Sequence, residues 1–330
     1  MPEENSFLSQ NFFPANIEVD ASRLFPMLVI ATMSSGKSTL INALLGQQIL
    51  PSQNKACTSK MYSILDDDTN SNPKIYITTK DGVTIEKVTE LEKELENANN
   101  DENVSDIFIQ GHVKGVLNTD RALLVVDTPG PNNARDLSHG KTMEMILNKV
   151  NGGLILYVIN ATQIAINDDK YLLNSLKKYM LSHQNLKLLF VVNKIDQIDE
   201  EQESIEEIMK IAKSYLNLNG FENANIIPVS ALAASIFKKV LNREQLTRAE
   251  YRMFESCYEL YQPKDFNMRS FAITEDYPNQ FDIIEVRGIE YKAGDLIRAL
   301  ENTGIKLLEE MIQKEQILSG GQFKHTLRLN

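Results

Sequence analysis

The sequence predicts an α/β fold, with a mostly parallel central sheet, helices on both faces, extra strands and a helical insertion. Apolar runs alternate with helical patterns along most of the chain, the rhythm of a parallel sheet covered by helices. Runs such as LILYVI (154–159) and LLFVV (188–192) are continuous rather than alternating, as strands buried on both faces are. A glycine-containing turn directly follows an earlier apolar run, MLVIA (27–31), and opens a helix.

Taken in order, Met27–Ala31 reads as the first buried strand, and the helix after the turn runs to about Leu45. Lys60–Leu65 is a second strand. Lys74–Thr79 and Val83–Glu86 form a hairpin, because Lys80-Asp81-Gly82 supplies the turn chemistry. Glu90–Asn100, acidic and polar, is a surface helix with a solvated charged face. Ile107–Leu117 and Leu123–Val126 read as an antiparallel pair joined near Asn118-Thr119-Asp120. A helix over about Ser138–Val150 precedes the strand Leu154–Ile159 and the helix Asp168–Ser182. The strand Lys187–Val192, a helix from about Glu200 to Leu216 and the short strand Asn225–Val229 follow.

From Ala233 to about Phe281 the rhythm breaks. A helical pattern to about Leu260 and a proline-bearing stretch read as an insertion packed on the sheet edge. Its aromatics (Tyr251, Phe254, Tyr258, Tyr261, Phe266, Phe271) are core by their helical spacing, with a partner surface as the other reading. Asp295–Gln316 reads as one amphipathic helix and the GGQ-containing tail as mobile. The expected divisions are an N-terminal segment (1–24), a main domain (25–317, insertion about 233–283) and a flexible tail (318–330).

Composition narrows the function. Of 330 residues, 42% are apolar and 24% charged, as in ordinary globular proteins. A formal charge of −11, with no long basic block, argues against nucleic acid as partner. The two cysteines, Cys57 and Cys257, give neither a disulfide framework nor zinc spacing, so a reducing cytoplasm is the expected compartment. No stretch approaches the roughly 20 apolar residues of a membrane span, leaving peripheral contact as the expected route to a membrane.

Four motifs carry chemistry. In Ala31–Ser38 (ATMSSGKS), the backbone amides and the helix N-terminus cradle phosphates, which places Ser34, Ser35, Gly36 and Thr39 around them. Lys37 reaches the β- and γ-phosphates and the Ser38 hydroxyl ligates magnesium. Asp127-Thr128-Pro129-Gly130 ends a buried strand: Asp127 holds magnesium opposite Ser38, and the Gly130 amide bonds the γ-phosphate. In Asn193-Lys194-Ile195-Asp196, Asp196 accepts two hydrogen bonds from guanine N1–H and its amino group, which adenine cannot provide. Lys194 lays its stem along the base and Asn193 ties the loops together. Ser230-Ala231-Leu232 offers a backbone amide to guanine O6. Thr58, between helix and second strand, completes the magnesium shell and helps fix the attacking water. These elements predict a P-loop GTPase fold that binds GTP and GDP with magnesium.

The fuller wording resembles the dynamin family, particularly bacterial dynamin-like proteins. MSSGKSTLINALLG (33–46), ILP (49–51), CTSK (57–60), DTPGPNNAR (127–135), NKID and the late GI-x-x-LEE (304–310) carry the resemblance, which covers roughly residues 25–317. It implies GTP hydrolysis stimulated when two such domains dimerise across their nucleotides, and membrane contact through a stalk not in this chain. The phosphate-loop position that often holds a water-orienting glutamine is Met33, and Pro131 stands after Gly130 where another would be. Ser34 matches a residue that helps hold a monovalent cation, so a potassium or sodium ion there is expected to stand in for an arginine finger. A nucleotide-gated scaffold with little hydrolysis and a ribosome- or RNA-associated P-loop GTPase are the alternative readings.

Overall fold

A computed structural model describes residues 12–14, 17, 19–51, 60–69, 73–89, 91–117, 119–128, 152–165, 167–183, 185–198, 203–222, 224–263, 283–286 and 289–321. The first apolar run becomes β1 (Leu24–Ala31), and the helix after the glycine turn is α1 (Lys37–Leu45). Then come β2 (Met61–Asp66), β3 (Lys74–Thr79), β4 (Thr84–Lys87), α2 (Leu91–Asn100), β5 (Val104–Gly111) and β6 (Ala122–Asp127). Next are β7 (Gly153–Asn160), α3 (Asn167–Ser182), β8 (Leu186–Asn193), α4 (Ile205–Leu218) and β9 (Ile226–Val229). The remainder is α5 (Ala231–Leu241), α6 (Arg248–Tyr261), a hairpin of β10 (Ile283–Val286) and β11 (Ile289–Lys292), α7 (Ala293–Asn302) and α8 (Ile305–Leu318).

Nine strands form one sheet in the order β4-β3-β5-β2-β6-β1-β7-β8-β9. Its heart is parallel: β1 lies between β6 and β7, and β8 and β9 continue in the same sense. The period of two divides every central strand between two cores. Met27, Val29, Leu123, Val125, Leu154 and Leu156 face the larger one, under α1 and α5–α8. Leu28, Ile30, Leu124, Val126, Ile155 and Tyr157 face the other, where α3 and the N-terminal Phe12 and Phe13 pack. Phe12 and Phe13, from the expected N-terminal segment, thus join this core.

Four expectations need correction. β5 and β6 are not a hairpin: β2 lies between them, parallel to β5 and antiparallel to β6. The chain leaves the sheet at Gly111 to cap the end of α1, where the Lys114 and Gly115 amides donate to the Leu45 and Leu44 carbonyls (3.4 and 3.1 Å). Gly115 is needed there, since a Cβ would collide with the Leu44 carbonyl and the Glu309 carboxylate. α4 starts at Ile205 rather than Glu200, because Ser204 and Glu207 form a capping box.

α5 and α6 do not sit on the sheet edge. α5 packs on α1 and α7, with α6 against α5 and α7. Phe254 and Tyr261 are fully buried there, which fits the core reading of these aromatics. Phe266 and Phe271 lie outside the described residues, as does the expected helix over 138–150. The C-terminal helix is two helices, broken at Gly304, whose φ of 78° is left-handed. The break frees the Thr303 carbonyl to accept from the Ser230 amide (2.9 Å). At the end of the described residues the Gly321 amide donates to the Gln316 carbonyl (3.2 Å) and Arg121 holds Ser319. Residues 322–330 lie outside the described residues.

Candidate functional site

The expected phosphate-binding residues form one turn at the carboxyl end of β1. Ser34 and Gly36 both take positive φ (61° and 81°), the alternation that turns successive amides toward one centre. The Ser35 hydroxyl closes the turn by donating to the Thr32 carbonyl (2.7 Å). Lys37, Ser38 and Thr39 then form the first turn of α1, with Lys37 buried and the other two half-buried. Exposed Met33 stands at the rim.

Asp127 ends β6, beside β1 in register with Val29. Its carboxylate is fully buried and paired with the Lys37 ammonium. Burial raises the Asp127 carboxyl above the usual carboxylate range, while Lys37 pulls it back. Oδ2 has no hydrogen-bond partner among the described residues. The Thr128 hydroxyl donates to the Val29 carbonyl (2.9 Å) and fixes the backbone at this strand end. A carboxylate with spare acceptor capacity and a serine hydroxyl on the adjoining helix are hard oxygen donors that suit magnesium. This ion keeps several waters and shares phosphate oxygens rather than occupying an all-protein cage. Among the described residues there is no cluster of three or more His, Cys, Asp or Glu able to bind a metal.

Asn193 joins three loops. Its amide donates to the Ser35 carbonyl (2.9 Å) and its oxygen accepts from the Ala231 amide (3.1 Å). Lys194 then takes a left-handed φ of 68° and turns the chain into the short helix that carries Asp196. The Ser230 hydroxyl donates to Asp196 Oδ1 (2.5 Å) and accepts from Ala233 N (3.2 Å), capping α5. The phosphate turn, the Asp196 turn and the Ser230–Ala231 loop are thus one hydrogen-bonded unit. Thr58 and Gly130 lie outside the described residues.

Asn160 is a site residue that motif reading missed. It ends β7 in register with Asn193, and its amide donates to the Ser34 carbonyl (3.4 Å). A polar residue closing an otherwise apolar strand was the available signal, since ligands in parallel α/β sheets gather at strand carboxyl ends. Also unforeseen is a cavity of about 320 Å³ beside Asp196, walled by α6.

A model of the dynamin family matches residues 27–195. A bacterial dynamin-like protein of Nostoc punctiforme is 28% identical over 218 residues, covering 62% of this chain and 29% of that protein. An uncharacterised protein of Caldicellulosiruptor sp. is 29% identical over 238 residues, covering 70% of this chain and 55% of its own length. One solved chain from an oligomerised bacterial dynamin pair, described as sensing and tethering membranes, superposes with a TM-score of 0.50 at 19% identity. That superposition covers 93% of this chain and 43% of the other. The chain therefore spans less than two thirds of the length of each of these relatives. The solved pair shares the fold, and the family match runs from the strand that carries the phosphate turn to Ile195 beside Asp196. With half its length matched in this way, the chain belongs to the dynamin family and has a P-loop GTPase fold.

Proposed function

We propose that this chain binds GTP and GDP with magnesium and hydrolyses GTP faster when two copies meet across their nucleotide faces. The observation that carries the binding is the Asn193 junction, which sets a phosphate turn and a base-reading carboxylate in one frame. Phosphate would take Lys37 from Asp127, leaving both carboxylate oxygens free for the magnesium shell beside Ser38. Thr58 and the Gly130 amide would meet the γ-phosphate, so that its loss changes what both loops touch. Bound magnesium would neutralise charge developing on the phosphate oxygens; the chain's own residues would orient the nucleotide.

Because Met33 stands where a glutamine would orient water, the chain alone is expected to be slow. A facing copy, together with potassium or sodium at Ser34, would supply the missing positioning. Membrane contact is proposed as peripheral, at a cytoplasmic face and through residues beyond this chain. Among the described residues no helix is long and apolar enough to cross a membrane.

The test is phosphate release across a protein-concentration series, in potassium, sodium or neither. A rate per molecule that climbs with concentration and falls without the cation supports the dimerising enzyme. A flat line near zero, with tight GTP binding, supports the scaffold reading that Met33 favours. Lys37→Ala is expected to abolish tight binding in either case.

A further inference from the structure

The cavity beside Asp196 is not accounted for by any of the four motifs. Asp196 and Leu232 form one side, and α6 forms the other, with Arg252, Met253, Ser256, Cys257 and Leu260. Positions four apart share a helix face, so Arg252, Ser256 and Leu260 line up along it. The wall is held firmly. Phe254 and Tyr261, which do not line the cavity, are buried on the core side of α6. Phe254 packs edge-on against Phe237 of α5 and Tyr291 of β11, with ring centroids 6.1 and 5.0 Å apart. Thr247 and Glu250 cap the helix, and Glu250 is tied to Lys239 of α5 (2.6 Å).

The size and lining select the occupant. About 320 Å³ lies at the small end of the roughly 300–1,000 Å³ range of ligand pockets, enough for a nucleobase. Leu232, Met253 and Leu260 give apolar walls, and Arg252 brings a planar cation that stacks on aromatic faces. Burial pushes the Cys257 thiol up to about 12, with the nearby Asp196 carboxylate adding to the rise, so the thiol in the cavity wall stays neutral.

We propose that α6 forms the outer wall of the guanine site, with the Arg252 guanidinium lying over the face of the base that Asp196 reads at its edge. The inference rests on the guanine reading above and assigns to it a binding residue outside the four motifs. Asp196 selects the base by its edge. Arg252 holds it by its face and is indifferent to the 2-amino group.

Calorimetric titration of the full chain with GDP, IDP (inosine diphosphate, which lacks the 2-amino group) and ADP tests this. Arg252→Ala is expected to weaken GDP and IDP by the same factor, roughly 3- to 30-fold. Arg248→Ala, which removes the same charge from the same helix outside the cavity, is expected to change neither. Ser256→Trp, which fills the cavity from an exposed position, is expected to weaken both by at least about tenfold. Asp196→Ala should remove the preference for GDP over IDP. If Arg252→Ala and Ser256→Trp leave GDP affinity unchanged while Asp196→Ala lowers it, the α6 wall is wrong and the guanine site stands. If the wild-type chain fails to prefer GDP over ADP, the guanine reading itself falls.

Discussion

Gly36 has two separate reasons to be glycine. Its φ of +81° disfavours a side chain, and a Cβ would stand 2.5 Å from Asn193 Nδ2, which binds the Ser35 carbonyl. Gly36→Ala is expected to cost about 1–2 kcal/mol in urea unfolding from backbone strain alone. It should weaken GDP more than that figure implies, because Asn193 must move. Asp196→Asn tests the opposite property, a residue whose geometry is easily kept but whose polarity is reversed. An asparagine amide offers a donor where the carboxylate only accepts, so GTP affinity should fall by about 100-fold. Xanthosine triphosphate, with a carbonyl in place of the amino group, should bind better than it does to the wild type. Asp66 carries a pH dependence. Burial raises its carboxyl to about 6, against lowering hydrogen bonds from Val113 N and His112, with Asp68 raising it further. The folded chain therefore holds a proton that the unfolded chain has released between about pH 4 and 6. This contribution to stability is full below that window and lost as pH rises through it. Asp66→Asn should flatten that part of a stability-against-pH curve measured by urea melts.

Lys238 of α5 connects three elements. It is buried, donates to the Ala43 carbonyl of α1 (2.6 Å) and pairs with Glu309 of α8. Lys238→Met would leave Glu309 buried with Lys306 (3.1 Å) as its remaining ion-pair partner, and should cost roughly 3–5 kcal/mol in a urea melt. Adding Glu309→Leu should restore much of that loss, because the desolvated carboxylate is then gone. Such pairings were not legible in the sequence, where Lys238 and Glu309 look like ordinary members of charged helix faces. The strands of the parallel heart were legible, since burial on both sides leaves an uninterrupted apolar run. The placing of β2 between β5 and β6 was not, because a strand's period fixes which face is buried but not which neighbour it pairs with. Nor was the break at Gly304, whose cause is a remote partner, the Ser230 amide. At the site, the residues of the phosphate and Asp196 turns could be named as candidates from motif spacing, with Asn193 as the tie between loops. The Asn160 hydrogen bond to the Ser34 carbonyl and the cavity that α6 forms beside Asp196 required strands and helices far apart in sequence to meet.

The nine-stranded sheet makes local binding a property of the whole molecule. Its carboxyl ends hold the residues proposed to bind nucleotide on β1, β6, β7 and β8, while its faces carry both hydrophobic cores. Domains of this kind are stable by only about 5–15 kcal/mol, so a ligand that needs the assembled site shifts unfolding visibly. Unfolding separates Lys37 from Asp127 and Asn193 from Ser35 and Ala231, so the unfolded chain has no site to offer. GDP with magnesium at 100 times its dissociation constant should therefore add about 2.7 kcal/mol to the unfolding free energy. Each further tenfold in concentration should add about 1.4 kcal/mol, without a plateau at full occupancy, because mass action keeps drawing unfolded chains back. Lys37→Ala should lose the shift, and chelating magnesium should shrink it if Asp127 and Ser38 help hold the nucleotide through the metal. Thermal or urea melts over a GDP series read all three. A melting curve that stops moving once the site is full would mean that the unfolded chain binds the nucleotide as well. In that case the preformed frame around Asn193 would not be what recognises it.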